Sequence, residues 1–414
     1  MYLGLDFGTS GARACVVNAE AVAVHTDRCA FPVPERQTPP DWREALLMLL
    51  RNIPREVAGQ LRGIAVDATS ATVLLCDAGL KPVAPVLLYS DNRSSKEAAE
   101  LRDLAPPGHT VCSTTSGLAK FLWLIRHTDA AAATYFMHKA DWLGALLTGL
   151  GGYSDYHNAL KTGYDVETLR WPDWVMQLPY AHLLPQVMEP GAALGRIHPE
   201  IAQHFGINSD CTVHAGTTDS IAAFMAAGAN HPGEAVTSLG STIVLKLLSE
   251  HRVEAAQYGV YSHRYGKLWL AGGASNAGGA VLRQLFSDAQ LAELSSHIDP
   301  ATDSPLDYYP LPRPGERFPV NDPELAPRLE PRPGNDAEFL HGLLQGLSRI
   351  EADGYAQLAK LGATPLQSVA TAGGGASNPV WGKIRERMMG IPVSVARHRE
   401  AAYGAALLAQ QGRL

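Results

Sequence analysis

The stretch Tyr2-Leu3-Gly4-Leu5-Asp6-Phe7-Gly8-Thr9-Ser10-Gly11-Ala12-Arg13 carries the first decision about the fold. An apolar run over 2–7 breaks at Gly8-Thr9-Ser10-Gly11 and resumes over 12–17, which reads as two strands joined by a short polar loop. The pattern returns in the second half of the sequence, where residues 235–239 lead into Gly240-Ser241-Thr242 and then 243–248. One hairpin used twice predicts two related domains, and a cleft between such domains is a favoured ligand site.

Outward from the hairpin, strands at 64–69 and 71–76 alternate with helical spacing at 42–53, where Asp41 is the expected cap, and at 120–127, 138–147 and 220–229. Helical spacing recurs at 277–285, 337–360 and 379–389. Strands with interleaved helices point to an α/β architecture. Between 300 and 333 lie ten of the 28 prolines, too many for regular structure, so a long ordered loop is expected there.

Composition narrows the class. At roughly 150 residues per domain, 414 residues suggest two or three domains. With 34 basic against 41 acidic side chains the net charge is −7, which argues against a nucleic-acid or membrane-surface binder. The five cysteines (Cys15, Cys29, Cys76, Cys112, Cys211) form no CxxC pair and the 15 histidines show no HExxH spacing, so reduced thiols in a cytoplasmic protein are expected. No apolar run reaches the roughly 18 residues of a membrane span, and with a strand at the start no leader peptide is expected. There is no GxxxxGK[ST] loop, no GxGxxG after a strand and no GxSxG elbow.

Three segments carry candidate chemistry. In the first hairpin, two glycines let backbone N–H groups converge on an anion, and Thr9 and Ser10 add hydroxyl donors. Asp6, at the end of a buried strand, is placed to hold a hydrated Mg²⁺ beside phosphates. An ordinary hairpin turn is the plain alternative, and the echo at 240–242 weighs against it. The second segment is Gly216-Thr217-Thr218-Asp219-Ser220, where Asp219 serves either as a helix cap or as a general base for a substrate hydroxyl. The third is Ala372-Gly373-Gly374-Gly375-Ala376-Ser377-Asn378-Pro379-Val380-Trp381. There a strand ends in glycines and a helix starts with Asn378 as cap and Pro379 as first residue. Such a turn suits a nucleotide, with Trp381 either covering the base or lying in the core. Gly272-Gly273-Ala274-Ser275-Asn276-Ala277-Gly278-Gly279 repeats the format.

Taken in order, these motifs resemble the FGGY family of carbohydrate kinases, within the actin-like ATPase superfamily, over essentially the whole sequence. Ser154-Asp155-Tyr156-His157-Asn158-Ala159 is similar to a stretch of the family's first domain, Asp91-Asn92-Arg93 to its W-x-D-x-R region without the Trp, and Gly315-Glu316-Arg317-Phe318-Pro319 to its G-E-R-x-P loop. Within the family, residues 5–14, 67–77, 215–223 and 234–249 look most like the short D-ribulokinase group of cyanobacteria and plants, sometimes labelled xylulokinase-like. Thr69 and Ser70 stand where xylulokinases place a Gln-Met-His group that touches the sugar.

The resemblance implies two ribonuclease-H-like domains with an interdomain active-site cleft. The first would span 1–226, completed by 396–414, and the second 227–395. It implies ATP and Mg²⁺ as cofactors and a sugar as acceptor. Asp219 would be the catalytic base and touch the substrate, and Asp6 would serve the metal and the sugar. Ser10, Gly11 and Ser70 would meet the sugar, and Thr9 and Ser10 the phosphates. Gly240, Ser241 and Thr242 would form the second phosphate loop, and Gly373, Gly374, Asn378 and Trp381 the adenosine pocket. The expected activity is phosphorylation of a ketopentose, D-ribulose first and D-xylulose second. A polyol kinase or a sugar-independent ATPase of the same superfamily is the alternative. Neither nucleic acid nor membrane is an expected partner, and a homodimer is a possible assembly.

Overall fold

Tyr2–Phe7 (β1) is buried from Leu3 onward and turns through Gly8 and Ser10 into its antiparallel partner Gly11–Val17 (β2), where Asp6 faces Arg13. The computed structural model describes residues 1–414. They divide into two units, residues 1–226 with 400–414, and residues 227–399; residues 396–399 thus fall with the second unit.

In the first unit β2 continues into Ala23–Ala30 (β3), and Gly63–Ala68 (β4) joins the other side of β1, parallel to it. Val73–Cys76 (β5) and Tyr135–His138 (β6) form a small antiparallel pair, and Tyr153–Asp155 (β7) and Gln186–Met188 (β8) a parallel one. Ala193–Arg196 (β9) and Thr212–Thr218 (β10) complete a sheet of order β3-β2-β1-β4-β10-β9. Because β1, β4 and β10 run parallel, their C-terminal ends align, and that is where open α/β sheets bind ligands.

A fully buried strand such as β4 needs cover on both faces. Helices Pro39–Asn52 and Lys139–Thr148 pack with this sheet in the first core, and Ala401–Gln411 lies on β1 and β4. The first of these starts earlier than expected. Thr38 is its cap, and Asp41 is the reciprocal acceptor of a capping box, its Oδ2 taking the Thr38 amide at 2.7 Å. The C-terminal helix approaches β1 backbone to backbone: a methyl group on Gly4 would sit 2.0 Å from the Ala402 carbonyl oxygen.

The second unit repeats the plan. Glu234–Leu239 (β11), Ile243–Ser249 (β12), Tyr261–Tyr265 (β13), Leu268–Ala274 (β14), Ser368–Ala372 (β15) and Val393–Val395 (β16) form a sheet of order β13-β14-β12-β11-β15-β16. As in the first sheet, an antiparallel trio (β14, β12, β11) is extended by two strands parallel to its last member β11, the ribonuclease-H arrangement, with β13 added at the edge. Helices Asp336–Lys360 and Pro379–Met389 build a second core around Leu343, Leu347, Trp381 and Ile384. The proline-rich segment forms no helix or strand; isolated bridges Tyr309↔Arg328 and Glu316↔Asp322 and the buried Phe318 order it.

Candidate active site

Register alone brings three carboxylates together in the first unit. Asp6 pairs with Asp67 across β1 and β4, Asp67 pairs with Thr217 across β4 and β10, and Asp219 opens the helix Asp219–Ala227 two residues later. Asp67 is completely buried, no N–H or hydroxyl donates to either of its carboxyl oxygens, and the Asp6 carboxyl is its hydrogen-bonding neighbour. Asp6 Oδ2 receives Arg13 Nη1 at 3.0 Å while its Oδ1 is buried and unpartnered, and Arg13 Nε holds Glu400 at 3.0 Å. Burial, followed by the charges of Asp6 and Asp219, pushes Asp67 well above the usual carboxylate range. Burial raises Asp6 too, against the opposing pull of Asp67, Arg13 and Lys139. Two carboxyls so placed act as a pair that retains a proton. Asp219 is half-buried and accepts the adjacent Ser220 amide at 2.7 Å; it is the first residue of its helix and not a cap, so the cap alternative is not what holds it there.

The loop between β1 and β2 is closed by the Gly8 amide on the Gly11 carbonyl at 3.0 Å, with Thr9 and Ser10 exposed. Gly11 is buried against Cys29 and serves the turn. From the protein side Lys139 Nζ donates to the Gly8 carbonyl at 3.2 Å and to Gln37 Oε1 at 2.8 Å, and Gln37 Nε2 donates to the Thr9 carbonyl. The ammonium lies among the rings of Phe7, Phe31 and Trp42. Burial brings its pKa down to about 7, against the charges of Asp6, Asp219 and Asp67. Ser70 follows the end of β4, in a turn fixed by the Thr69 amide on the Phe7 carbonyl and a Thr69–Thr72 hydroxyl contact of 2.8 Å. The segment 154–159 is structural support: Asp155 caps its own turn, and His157 Nδ1 bonds Thr217 Oγ1 at 2.7 Å, under the strand end that delivers Asp219.

In the second unit a cavity of about 580 Å³ is lined by Gly240, Arg283, Ser295, Gly374, Asn378 and Trp381, among others. Asn378 caps the helix Pro379–Met389 through the Trp381 amide at 3.0 Å and reaches Ser295 Oγ at 2.9 Å. Trp381 is nearly fully buried, its indole N–H on Ser348 Oγ at 3.1 Å and its ring directly under Gly375, so it is a wall of the pocket from below and not a lid over a base. Ser241 stands beside the cavity, held by Arg283 Nη2 at 2.9 Å; Thr242 closes the turn through its carbonyl on the Gly240 amide, and Gly373 lies against Leu239.

Sequence reading missed Asp67, Lys139, Gln37 and Arg283. Asp67 had a readable signal, because 64–67 repeats the pattern of an apolar run ending in Asp seen at 2–6. Lys139, a lone cation before an apolar helix, carries a weaker one, and Gln37 and Arg283 carry none.

The buried, orphaned Oδ1 of Asp6 fits a Mg²⁺ ion, which takes one or two carboxylates together with water and phosphate oxygens. No group of three or more His, Cys, Asp or Glu side chains is arranged to hold a metal by itself.

These observations define a two-domain α/β protein with a carboxylate cluster in one unit and a glycine-walled cavity in the other. The FGGY family of carbohydrate kinases matches the sequence through its N-terminal domain at residues 1–226 and its C-terminal domain at 235–411, and the protein belongs to that family. It is therefore a phosphotransferase acting on a sugar, with ATP as the family's co-substrate. It is 26% identical over 441 residues to the xylulose kinase of Escherichia coli K12, covering 99% of this protein and 90% of that one. It is also 26% identical over 315 residues to the ribulokinase of Shouchella clausii, covering 62% and 55% respectively. The crystal structure of a xyloylose kinase from Brucella ovis superposes with a TM-score of 0.85 at 25% identity, over 99% of this protein and 90% of that one. The Plasmodium falciparum glycerol kinase with ADP shares the fold at a TM-score of 0.85 and 17% identity, over 99% and 89%. No helix is long and apolar enough to cross a membrane.

Proposed function

We propose that this kinase transfers the γ-phosphoryl group of ATP to the terminal 5-hydroxyl of a ketopentose, with D-ribulose as the substrate. The observation that carries the reading is the convergence of Asp219 with Asp6 and Asp67 at the parallel strand ends. Phosphoryl transfer asks little covalent chemistry of a protein; it needs an oriented hydroxyl, a proton acceptor and charge neutralisation. Asp219 accepts the proton of the attacking hydroxyl. Asp67, whose burial beside Asp6 and Asp219 favours its neutral form, eases the crowding of three carboxyl groups in one site. Arg13 fixes the orientation of Asp6, and the Lys139–Gln37 support holds the Gly8 and Thr9 carbonyls, leaving Thr9 and Ser10 exposed at the loop tip. Asp6 would hold Mg²⁺, which when bound neutralises phosphate charge. In the second unit Gly240, Ser241, Thr242, Gly373, Gly374 and Asn378 receive the nucleotide, with Trp381 as a wall.

Thr69 and Ser70, in place of a bulkier Gln-Met-His group, support D-ribulose; the similarity to xylulose kinases supports D-xylulose as the second reading. A coupled ADP-release assay over D-ribulose, L-ribulose, D-xylulose and their reduced polyols decides, with sugar phosphate read by mass. The highest kcat/KM with D-ribulose is expected. A higher value with D-xylulose overturns the substrate choice, and ADP release that no sugar accelerates overturns the reaction.

A further inference from the structure

Gly315-Glu316-Arg317 is left unused by the proposed reaction, yet Glu316 is nearly fully buried and its charge is met by convergent donors. Its Oε1 accepts the amides of Asn276 at 2.7 Å and Arg317 at 2.9 Å, and its Oε2 accepts the hydroxyls of Ser275 at 2.6 Å and Tyr309 at 3.2 Å. The Ser275 hydroxyl oxygen in turn accepts the Ala277 amide at 2.9 Å, and Asn276 Nδ2 donates to the Gly315 carbonyl at 2.9 Å. A single carboxylate thus fixes the whole turn 275–277.

The other side of that turn is the loop Gly240-Ser241-Thr242. The Ile243 amide bonds the Ala277 carbonyl at 2.8 Å and the Ser275 amide bonds the Ile243 carbonyl at 2.9 Å. Beyond them, the Gly279 amide bonds the Gly240 carbonyl at 2.8 Å and the Ala280 amide the Ser241 carbonyl at 3.1 Å. The backbones touch: a methyl group on Gly278 would stand 2.7 Å from the Ser241 carbonyl oxygen, and one on Gly279 2.7 Å from that of Gly240. The Gly240 and Ser241 carbonyls are thus committed to this turn, and the Gly240 amide closes the loop on the Thr242 carbonyl at 3.1 Å.

We propose that Glu316 is a positioning residue for nucleotide phosphates, acting through the Ser275–Gly279 turn on the Gly240–Thr242 loop. The inference rests on the nucleotide reading of the second unit. A buried carboxylate with several donors is a stiff anchor, because charge-assisted hydrogen bonds are short and about twice as strong as neutral ones. In Glu316→Gln one oxygen becomes an NH₂ donor, which sets donor against donor at the Asn276 amide or makes the Ser275 and Tyr309 hydroxyls reverse. The consequence falls on phosphate binding and spares the nucleoside end, where Asn378 and Ser295 stand.

The test compares ADP with adenosine by calorimetric titration of the full-length protein. In Glu316→Gln, ADP affinity falls roughly tenfold, while adenosine affinity stays within about twofold; Ser275→Ala shows the same selectivity with a smaller loss. Equal losses for both ligands, which general destabilisation produces, overturn the proposal, as does unchanged ADP affinity. Hydrogen–deuterium exchange without nucleotide gives a second readout: faster exchange of the Gly240 and Ile243 amides in Glu316→Gln, with β1, β4 and β10 unchanged, is the expected result. Unchanged exchange at Gly240 and Ile243 overturns the proposal. Wild-type protein that binds neither ligand overturns the nucleotide reading instead, and the exchange experiment still decides whether Glu316 holds the loop. If Glu316→Gln does not fold, Ser275→Ala carries both measurements with the same outcomes.

Discussion

Asp219 combines a helix-start position, a backbone bond to Ser220 and two neighbouring carboxyls that cannot both be fully charged. If it is the base, Asp219→Ala lowers kcat by roughly 10²–10⁴ and leaves ADP affinity near that of the wild type, because Asp219 is not among the groups proposed to receive the nucleotide. A steady-state loss below about tenfold removes it from that role. Two buried lysines set a pH dependence of stability. Lys120 donates to the carbonyls of Ala71 at 2.8 Å and Leu88 at 2.6 Å, and burial brings its pKa, like that of Lys139, down to about 7, with Asp91 opposing and Lys161 adding to the shift. The unfolded protein keeps each lysine protonated to about pH 10. Between about 7 and 10 the unfolded state therefore binds the extra proton, and stability rises with pH there; the penalty is complete below 7. The slope is at most about 1.4 kcal/mol per pH unit for each lysine. Urea unfolding of wild type and Lys120→Met at pH 7 and pH 9 isolates one of them: the wild type should gain on the variant as pH rises, and a constant difference refutes the assignment.

Elements that repeat a local pattern were legible, and contacts between distant segments were not. Both hairpins, the helix Pro379–Met389 with its Asn378 cap and the proline-rich loop follow from period, capping and proline content. The candidate base and the glycine turns were readable because they sit in short runs. Asp41 was misread as a cap because Pro39 and Pro40 hide a start one turn earlier at Thr38. Lys139, Gln37 and Arg283 act on loops far away in the sequence, the first across 131 residues to Gly8, and no local pattern encodes such a partner. The C-terminal helix shows how an element serves the site from a distance. Its cap residue Glu400 holds Arg13, which holds Asp6, and its packing depends on backbone contact at Gly4 and at Gly404, where a methyl group would meet the Ala222 carbonyl oxygen at 1.8 Å. Gly4→Ala therefore costs about 1–3 kcal/mol through overpacking. It also lowers kcat, because displacement of the helix frees Arg13. A thermal midpoint unchanged within error contradicts the contact, and a full loss of stability with wild-type kcat contradicts the relay.

At the scale of the whole molecule, each unit has its own sheet and its own buried core, with Leu3, Val66 and Trp42 in one and Leu245, Leu343 and Trp381 in the other. Units with separate cores in one polypeptide, the first unit adding a further cluster around Val73, Phe121 and Phe136, depart from the conditions under which a single cooperative transition is expected. The assignment of groups then makes a ligand-specific prediction. A sugar that binds at Asp6, Ser70 and Asp219 stabilises the first unit, and ADP, binding at Gly374 and Asn378, stabilises the second. Saturation at 100 times the dissociation constant adds about 2.7 kcal/mol to the unit that binds, a midpoint shift of roughly 5–10 °C for units of this size. In scanning calorimetry of the full-length protein, the sugar D-ribulose should move one component of the transition and ADP the other. Gly4→Ala identifies the component of the first unit and Glu316→Gln that of the second by lowering it without ligand. If either ligand moves both components equally, the sugar and nucleotide groups do not act on separate cores, and the division of labour drawn from the two strand-end sites fails.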